Sequence, residues 1–333
     1  MSKLTMQKYP AEFKERAVKL AVESDQSIAQ TARDLAPEPC SMLYLLVASS
    51  RPKEWIKNSF LFAALFFSQN LFNPALVLQA LLAFGFYCLT TSGVYLMNDI
   101  QDREADKQHP QKRQRPIASG ALPVALAAPV AVVVLLIALG GAWYLQPGFG
   151  LITTSYVLLN VAYSRWLKHI VILDIFAIAA GFVLRVIAGA IVINVVISHW
   201  ILICTMLLAL FLGFSKRRCE LIALARNASQ HRLVLAEYDL PFLDMMIGIV
   251  TSAVLMGYTL YTVSSETIAK FHTDRLLLTV PIVLYGIFRY VYLVYHRNYG
   301  DNPAHALLTD GPLRLSILLW GLVSALILYT AYL

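Results

Sequence analysis

The sequence predicts an all-α, polytopic membrane protein of nine transmembrane helices, and three observations carry that prediction. Of 333 residues, 58% are hydrophobic and only 14% charged, at a mean hydropathy of +0.63, whereas a soluble domain carries roughly 25% charged residues. Apolar stretches of about 20 residues, the length a bilayer core demands, recur from residue 55 to the C-terminus. Between them, turns without lysine or arginine alternate with strongly basic ones.

Taken in order, the spans read 55–72, 75–97, 121–145, 149–165, 170–193, 197–215, 242–263, 275–295 and 313–332. Charged residues interrupt the first near its start, so it is expected to begin as an interfacial helix. The turns at 70–74, 146–149 and 194–198 carry no Lys or Arg. The segments 98–120, 164–169 and 216–232 are basic, with Arg113 and Arg115, Lys168, and Lys216, Arg217 and Arg218 among their residues. Positive charge collects in cytoplasmic loops, so this alternation places the N-terminus and every chemically interesting loop on the cytoplasmic side of a plasma (inner) membrane. The loop at 264–274 is a mild exception, offset by Glu266 and Asp274. The net charge of +7 is then a topology signal and not a nucleic-acid footprint. Cys40, Cys88, Cys204 and Cys219 show neither metal-binding nor disulfide spacing.

Residues 1–41 form a separate, polar extension before the membrane domain at 42–333, and no cleavable signal peptide is visible in it. Phe13, Ala17 and Leu20 share one helical face, and a second helix follows Ser27. Residues 9–36 resemble the first two helices of the helix-turn-helix of insertion-element transposases. The segment stops at Pro37-Glu38-Pro39, where a recognition helix should enter the major groove. The expectation is a fusion relic with no nucleic-acid partner, and Met42 as an alternative start.

The most informative segment is the acidic run Asn98-Asp99-Ile100-Gln101-Asp102-Arg103-Glu104-Ala105-Asp106. It follows an apolar span, so the helix is expected to continue through it. Asn98, Asp102 and Asp106 then fall on one face, with Asp99 beside it. Acids at a helix C-terminus oppose the macrodipole, so a function must offset the cost. Oxygen ligands clustered where a helix leaves the bilayer suit Mg2+, which also takes oxygens from a substrate phosphate. Asn98, Asp99, Asp102 and Asp106 are therefore the candidate metal ligands, and Asp102 and Asp106 the candidate catalytic acids.

The pattern Asn98-Asp99-x-x-Asp102-x-x-x-Asp106, followed by Arg113-x-Arg115-Pro116-Ile117-x-x-Gly120, resembles the first aspartate-rich motif of the UbiA-type intramembrane prenyltransferases. That resemblance implies nine transmembrane helices around a central cavity, and a motif that binds a substrate diphosphate through Mg2+. Arg51-Pro52-Lys53-Glu54-Trp55-Ile56-Lys57-Asn58, Tyr163-Ser164 with Lys168 and Asp174, and Lys216-Arg217-x-x-Glu220 are similar to one branch, the decaprenyl-phosphate phosphoribosyltransferases. The branch implies transfer of 5-phosphoribosyl from phosphoribosyl diphosphate (PRPP) to a polyprenyl phosphate. The sequence departs from aromatic prenyltransferases after the sixth span, where Lys216-Arg217-Arg218-Cys219-Glu220 stands in place of a second aspartate-rich motif.

Lys57, Lys168, Arg217 and Arg218 are suited to phosphates, the arginines in bidentate fashion. Asp174 and Arg185 lie eleven residues apart within the fifth span, on one face, and charges inside a membrane face the bundle interior. Asp174 joins the candidate catalytic residues, on ribose hydroxyls or the metal. With the matched motifs, the candidate substrate contacts are Lys57, Asn58, Arg113, Arg115, Tyr163, Lys168, Arg185, Lys216, Arg217 and Glu220. Arg232 and Tyr238 are read as ordering the following loop. Arg289 with Asn302-Pro303 and Asp310 is read as structural support. No acidic pair with a Thr-Gly phosphate turn, as soluble phosphoribosyltransferases carry, is present. Two rivals remain: a UbiA-type transfer of a prenyl chain from prenyl diphosphate to an aromatic or other small acceptor, and a non-enzymatic transporter or lipid-binding scaffold.

Overall fold

The computed structural model describes residues 39–108, 112–226, 237–297, 306 and 309–330. The helix-turn-helix-like segment, Arg232 and Asn302-Pro303 lie outside the described residues.

All regular structure among the described residues is helical. The α-helices run Pro39–Ser49 (α1), Ala63–Phe67 (α2), Pro74–Gln101 (α3), Arg103–Gln108 (α4), Pro116–Ser119 (α5), Val124–Leu145 (α6), Pro147–Arg165 (α7), Leu173–Val192 (α8), His199–Arg226 (α9), Leu240–Val263 (α10), Ser265–Phe271 (α11), Val280–Arg297 (α12) and Gly311–Thr330 (α13). Seven helices are long and apolar enough to cross a membrane: Pro74–Gln101, Val124–Leu145, Leu173–Val192, His199–Ile222, Leu240–Val263, Arg275–His296 and Gly311–Thr330. The chain is thus a multi-pass membrane protein, and two of the nine expected spans take another form. The first is a 3-10 helix, Pro52–Phe62, followed by the five-residue α2; Lys53, Glu54, Lys57 and Asn58 leave it no continuous apolar face. The fourth is α7, a full helix of 19 residues whose Thr153, Thr154, Asn160 and Arg165 make it too polar for that set. The loop expected at 216–232 also begins later, because α9 continues to Arg226.

The chain divides into two compact units, one comprising residues up to Pro52 with Tyr95–Val133, the other Lys53–Val94 with Val134–Leu333. In the first, Leu96, Ile117, Leu122, Ala127 and Ala131 are buried together, with Met42, Leu45, Leu46 and Ile100 packed against them. α1 thus runs through the expected domain boundary at 41/42 and contributes Met42 to this core.

In the second unit α8 packs against α7 and α9, α9 against α10, and α12 against α13. Ile175, Phe211, Leu243, Ile247 and Leu293 centre one cluster, and Leu61, Ala83, Tyr87, Phe149 and Ala188 another. One close approach fixes the 3-10 helix: a Cβ on Gly189 would lie 1.9 Å from the Leu61 carbonyl oxygen, so only glycine admits that backbone. Arg289 makes a two-pronged pair with Asp310, at 3.1 and 2.8 Å. Asp310 also accepts the Leu313 backbone N–H at 2.9 Å, capping α13; this is the support expected there. Leu136, Ile137, Met256, Leu318 and Leu322 are more than half exposed, the apolar exterior of helices solvated by lipid.

Candidate active site

The helix carrying the acidic run does continue through it. Asp102 N–H donates to the Asn98 carbonyl and Asp106 N–H to the Asp102 carbonyl, both at 2.8 Å, so helical register is kept from α3 into α4 across a turn at Asp102. The side chains that come together are Asp99 and Asp106, seven residues or about two turns apart. They are 2% and 4% exposed. Asn98 and Asp102, expected on the same face, are half-buried beside them.

A single atom joins the buried pair. Arg115 Nη1 donates to Asp99 Oδ1 at 3.1 Å and to Asp106 Oδ2 at 2.6 Å. Arg51 forms a second ion pair with Asp99 Oδ1, and its guanidinium lies 4.9 Å from the Tyr95 ring centroid. The motif after the run explains how Arg115 is aimed. Pro116 holds Arg115 in extended backbone (φ −60°, ψ 141°) and starts α5. Gly120, at φ 85°, ends it with a left-handed cap, and Ile117 and Leu122 are fully buried on either side. Arg113 is exposed. Glu104 faces out and pairs with Lys107 at 2.7 Å, which lowers its pKa.

A second polar cluster sits at the start of α8 in the other unit. Asp174 is fully buried, and both its oxygens are engaged. Oδ2 accepts from Arg217 Nε at 2.7 Å, and Oδ1 accepts from the Tyr238 hydroxyl at 2.9 Å. Arg217 also pairs with Glu220 at 2.5 Å and donates to the Tyr163 hydroxyl at 3.4 Å. Tyr238 in turn accepts the Ile172 backbone N–H at 2.6 Å. Ile172 has φ 70°, a strained conformation for a β-branched residue. Burial holds the Tyr238 phenol well above the usual tyrosine range, so it stays protonated and keeps donating to Asp174. Lys216 lies 3.9 Å from Glu220. Lys168 is half-buried in a 3-10 turn, Leu167–His169. Arg218, expected as a phosphate contact, pairs with Asp244 at 2.5 Å and stacks 3.9 Å from the Tyr295 ring.

Deeper in the same unit, Arg185 is 5% and Asn58 0% exposed. Arg185 donates to Asn58 Oδ1 at 2.9 Å, the Tyr156 hydroxyl at 2.9 Å and the Gly181 carbonyl at 2.8 Å. Asn58 also donates to Thr91 at 3.2 Å. Both residues are thereby engaged by protein groups. Lys57, next to Asn58, pairs with Glu54. Asp174 and Arg185, read as sharing one face, belong to separate polar clusters.

Three contributors carry little local signal in the sequence. Arg51 lies in the Arg51-Pro52-Lys53 segment, but nothing near it in sequence points to Asp99. Tyr238, expected to order a loop, also donates to Asp174. Tyr156 had no signal beyond its position one turn-pair before Tyr163.

The residues fit a hard divalent cation. Among the described residues no three acidic, histidine or cysteine side chains form a preformed metal cage. Mg2+ does not need one, since it is commonly held by one or two carboxylates together with substrate phosphates. Asp99 and Asp106 supply two buried carboxylates that already share a cationic partner.

The model of the UbiA prenyltransferase family matches residues 59–309. The decaprenyl-phosphate phosphoribosyltransferase of Corynebacterium glutamicum is 30% identical over 283 residues, covering 83% of this chain and 84% of that protein. The enzyme of that name from Mycobacterium tuberculosis is 31% identical over 255 residues, covering 75% and 84%. Among solved structures, a UbiA homolog from Archaeoglobus fulgidus bound to GPP and Mg2+ superposes with a TM-score of 0.61 at 18% identity, over 86% of this chain and 98% of that one.

Proposed function

The chain belongs to the UbiA prenyltransferase family, and we propose that it is a Mg2+-dependent transferase whose donor diphosphate is held at Asp99 and Asp106. The observation that carries this is the pair of buried carboxylates, two turns apart, sharing one guanidinium nitrogen. Asn98, Asp99, Asp102 and Asp106 would hold the ion, which supplies charge neutralisation to the departing diphosphate. Arg115 and Arg51 donate to diphosphate oxygens as negative charge builds there, an electrostatic stabilisation aimed at the transition state.

The donor we favour is PRPP and the acceptor a polyprenyl (decaprenyl-type) phosphate, at the cytoplasmic face of the plasma membrane. The names of the two bacterial relatives support this, as does the absence of a second aspartate-rich run around Lys216–Glu220. The C1–O bond of ribose breaks, diphosphate leaves, and an acceptor phosphate oxygen attacks C1. That oxygen is already anionic, so no strong general base is needed. In the other unit, Lys57, Lys168, Tyr163 and Arg217 are read as phosphate contacts, and Asp174 acts through Arg217, whose guanidinium it fixes.

A second reading is transfer of a prenyl chain from prenyl diphosphate to an aromatic or other small acceptor. It is favoured by the ligands of the fold relatives, GPP and DMAPP with Mg2+. Purified protein incubated with Mg2+, labelled PRPP and decaprenyl phosphate should form a lipid-linked ribose phosphate and release diphosphate. Prenyl transfer to an aromatic acceptor without that product would establish the second reading instead.

A further inference from the structure

We infer that Arg115, assisted by Arg51, is a specificity-determining residue that makes the acidic site refuse a free divalent cation and accept a metal–diphosphate complex as one unit. The inference rests on the reading of this cluster as the diphosphate site, and it adds an order of binding that the reading does not contain. Arg115 occupies the place between Asp99 and Asp106, with one nitrogen within 3.1 Å of both carboxylates. Asp99 carries Arg51 as well. Two buried carboxylates thus face two guanidinium groups that already balance their charge, with Asp102 half-buried beside them. A bare divalent cation must displace an arginine from a buried carboxylate and leave positive charge in excess there, which burial opposes. A diphosphate arriving with the cation removes that penalty. Asp99 and Asp106 would then hold the cation, and the freed guanidinium groups would donate to phosphate oxygens, for which their planar forks are well matched. The burial pattern permits the exchange. The carboxylate side chains are 2% and 5% exposed, but the Arg115 and Arg51 side chains are 27% and 28% exposed, so the arginines form the outer layer that meets an incoming ligand. Lys107 and Glu104 pair separately on the exposed side of α4 and take no part.

The test uses the full-length protein in detergent or nanodiscs, with Mn2+ as the metal probe and inorganic pyrophosphate as the diphosphate. Free Mn2+ is followed by electron paramagnetic resonance. Wild type should bind Mn2+ weakly alone and more tightly with pyrophosphate. Arg115→Gln should shift the two affinities in opposite directions: tighter for Mn2+ alone, and weaker for Mn2+ with pyrophosphate by roughly tenfold, the loss of one charge-assisted contact. Arg51→Gln should move both the same way to a smaller extent, and it serves as the second variant should Arg115→Gln not yield folded protein on size exclusion. Weakened Mn2+ binding in both conditions, or unchanged binding of Mn2+ alone, in a folded variant would overturn the exchange and leave the arginines a structural role. Failure of the underlying reading looks different: wild type and Asp99→Asn would then bind Mn2+–pyrophosphate equally well.

Discussion

Arg185 donates from Nε to Asn58 Oδ1 at 2.9 Å, tying α8 to the 3-10 helix Pro52–Phe62 across 127 residues of sequence. The bond ends where Lys57 begins, so it fixes the segment that presents Lys57. Arg185→Ala leaves Asn58 and Tyr156 without their donor and opens a void. Loss of a buried, charge-assisted network of this kind costs about 3 kcal/mol, expected as a clear fall in melting temperature in detergent. Arg185→Lys should not rescue it, because an ammonium cannot meet three acceptors in the guanidinium plane. A variant with wild-type melting would refute the role.

Gly189→Ala should displace the same segment by steric means alone. The added methyl meets the Leu61 carbonyl, so both stability and transfer activity should fall. Gly248→Ala is the matched control: nothing lies within 4 Å of that Cβ, and its melting temperature should not drop.

Tyr238→Phe removes one donor to Asp174 and the acceptor of the Ile172 N–H. With Arg217 still paired to Asp174, the expected loss is modest in stability, about 1 kcal/mol. The larger effect should fall on the acceptor KM, through a less well-aimed Arg217. An unchanged KM with lowered kcat would argue against that coupling.

Removal of residues 1–38 should leave melting and activity intact, whereas removal of residues 1–50 should abolish both. The second deletion takes away α1, whose Met42, Leu45 and Leu46 pack on Ile117 and Leu122. Thermal scans of both truncations decide the point; equal behaviour would show that α1 is dispensable.

Glu104→Gln should change neither melting nor Mn2+–pyrophosphate affinity. Its partnership with Lys107 is exposed, and such pairs contribute little. A strong effect would place Glu104 among the ligand-binding acids after all.

Much of this was legible in the amino-acid order, because periodicity and hydropathy are local properties. The acidic run announced a helix leaving an apolar span, and α3 and α4 carry it as expected. Partners distant in sequence were not legible. Arg51 reaches Asp99 over 48 residues and Arg217 reaches Asp174 over 43, and no local pattern encodes either meeting. The first expected span misled because its aromatic and aliphatic residues suggested a crossing helix. Lys53, Glu54, Lys57 and Asn58, together with the backbone contact at Gly189, instead leave it a tight 3-10 segment. Arg218 is a related case: its charge is visible in the sequence, but its pairing with the carboxylate of Asp244, 26 residues on, is not.

The seven-residue interval between Asp99 and Asp106 has a consequence for how this stretch can vary. Each residue turns a helix by about 100°, so two full turns bring the carboxylates back into alignment. Inserting or deleting one residue between them would swing one acid toward lipid or solvent while leaving the composition of the run unchanged. Side chains between the two can be exchanged more freely than the count of residues can be altered. The stretch acts as a ruler, and its chemistry is specified by length as much as by charge.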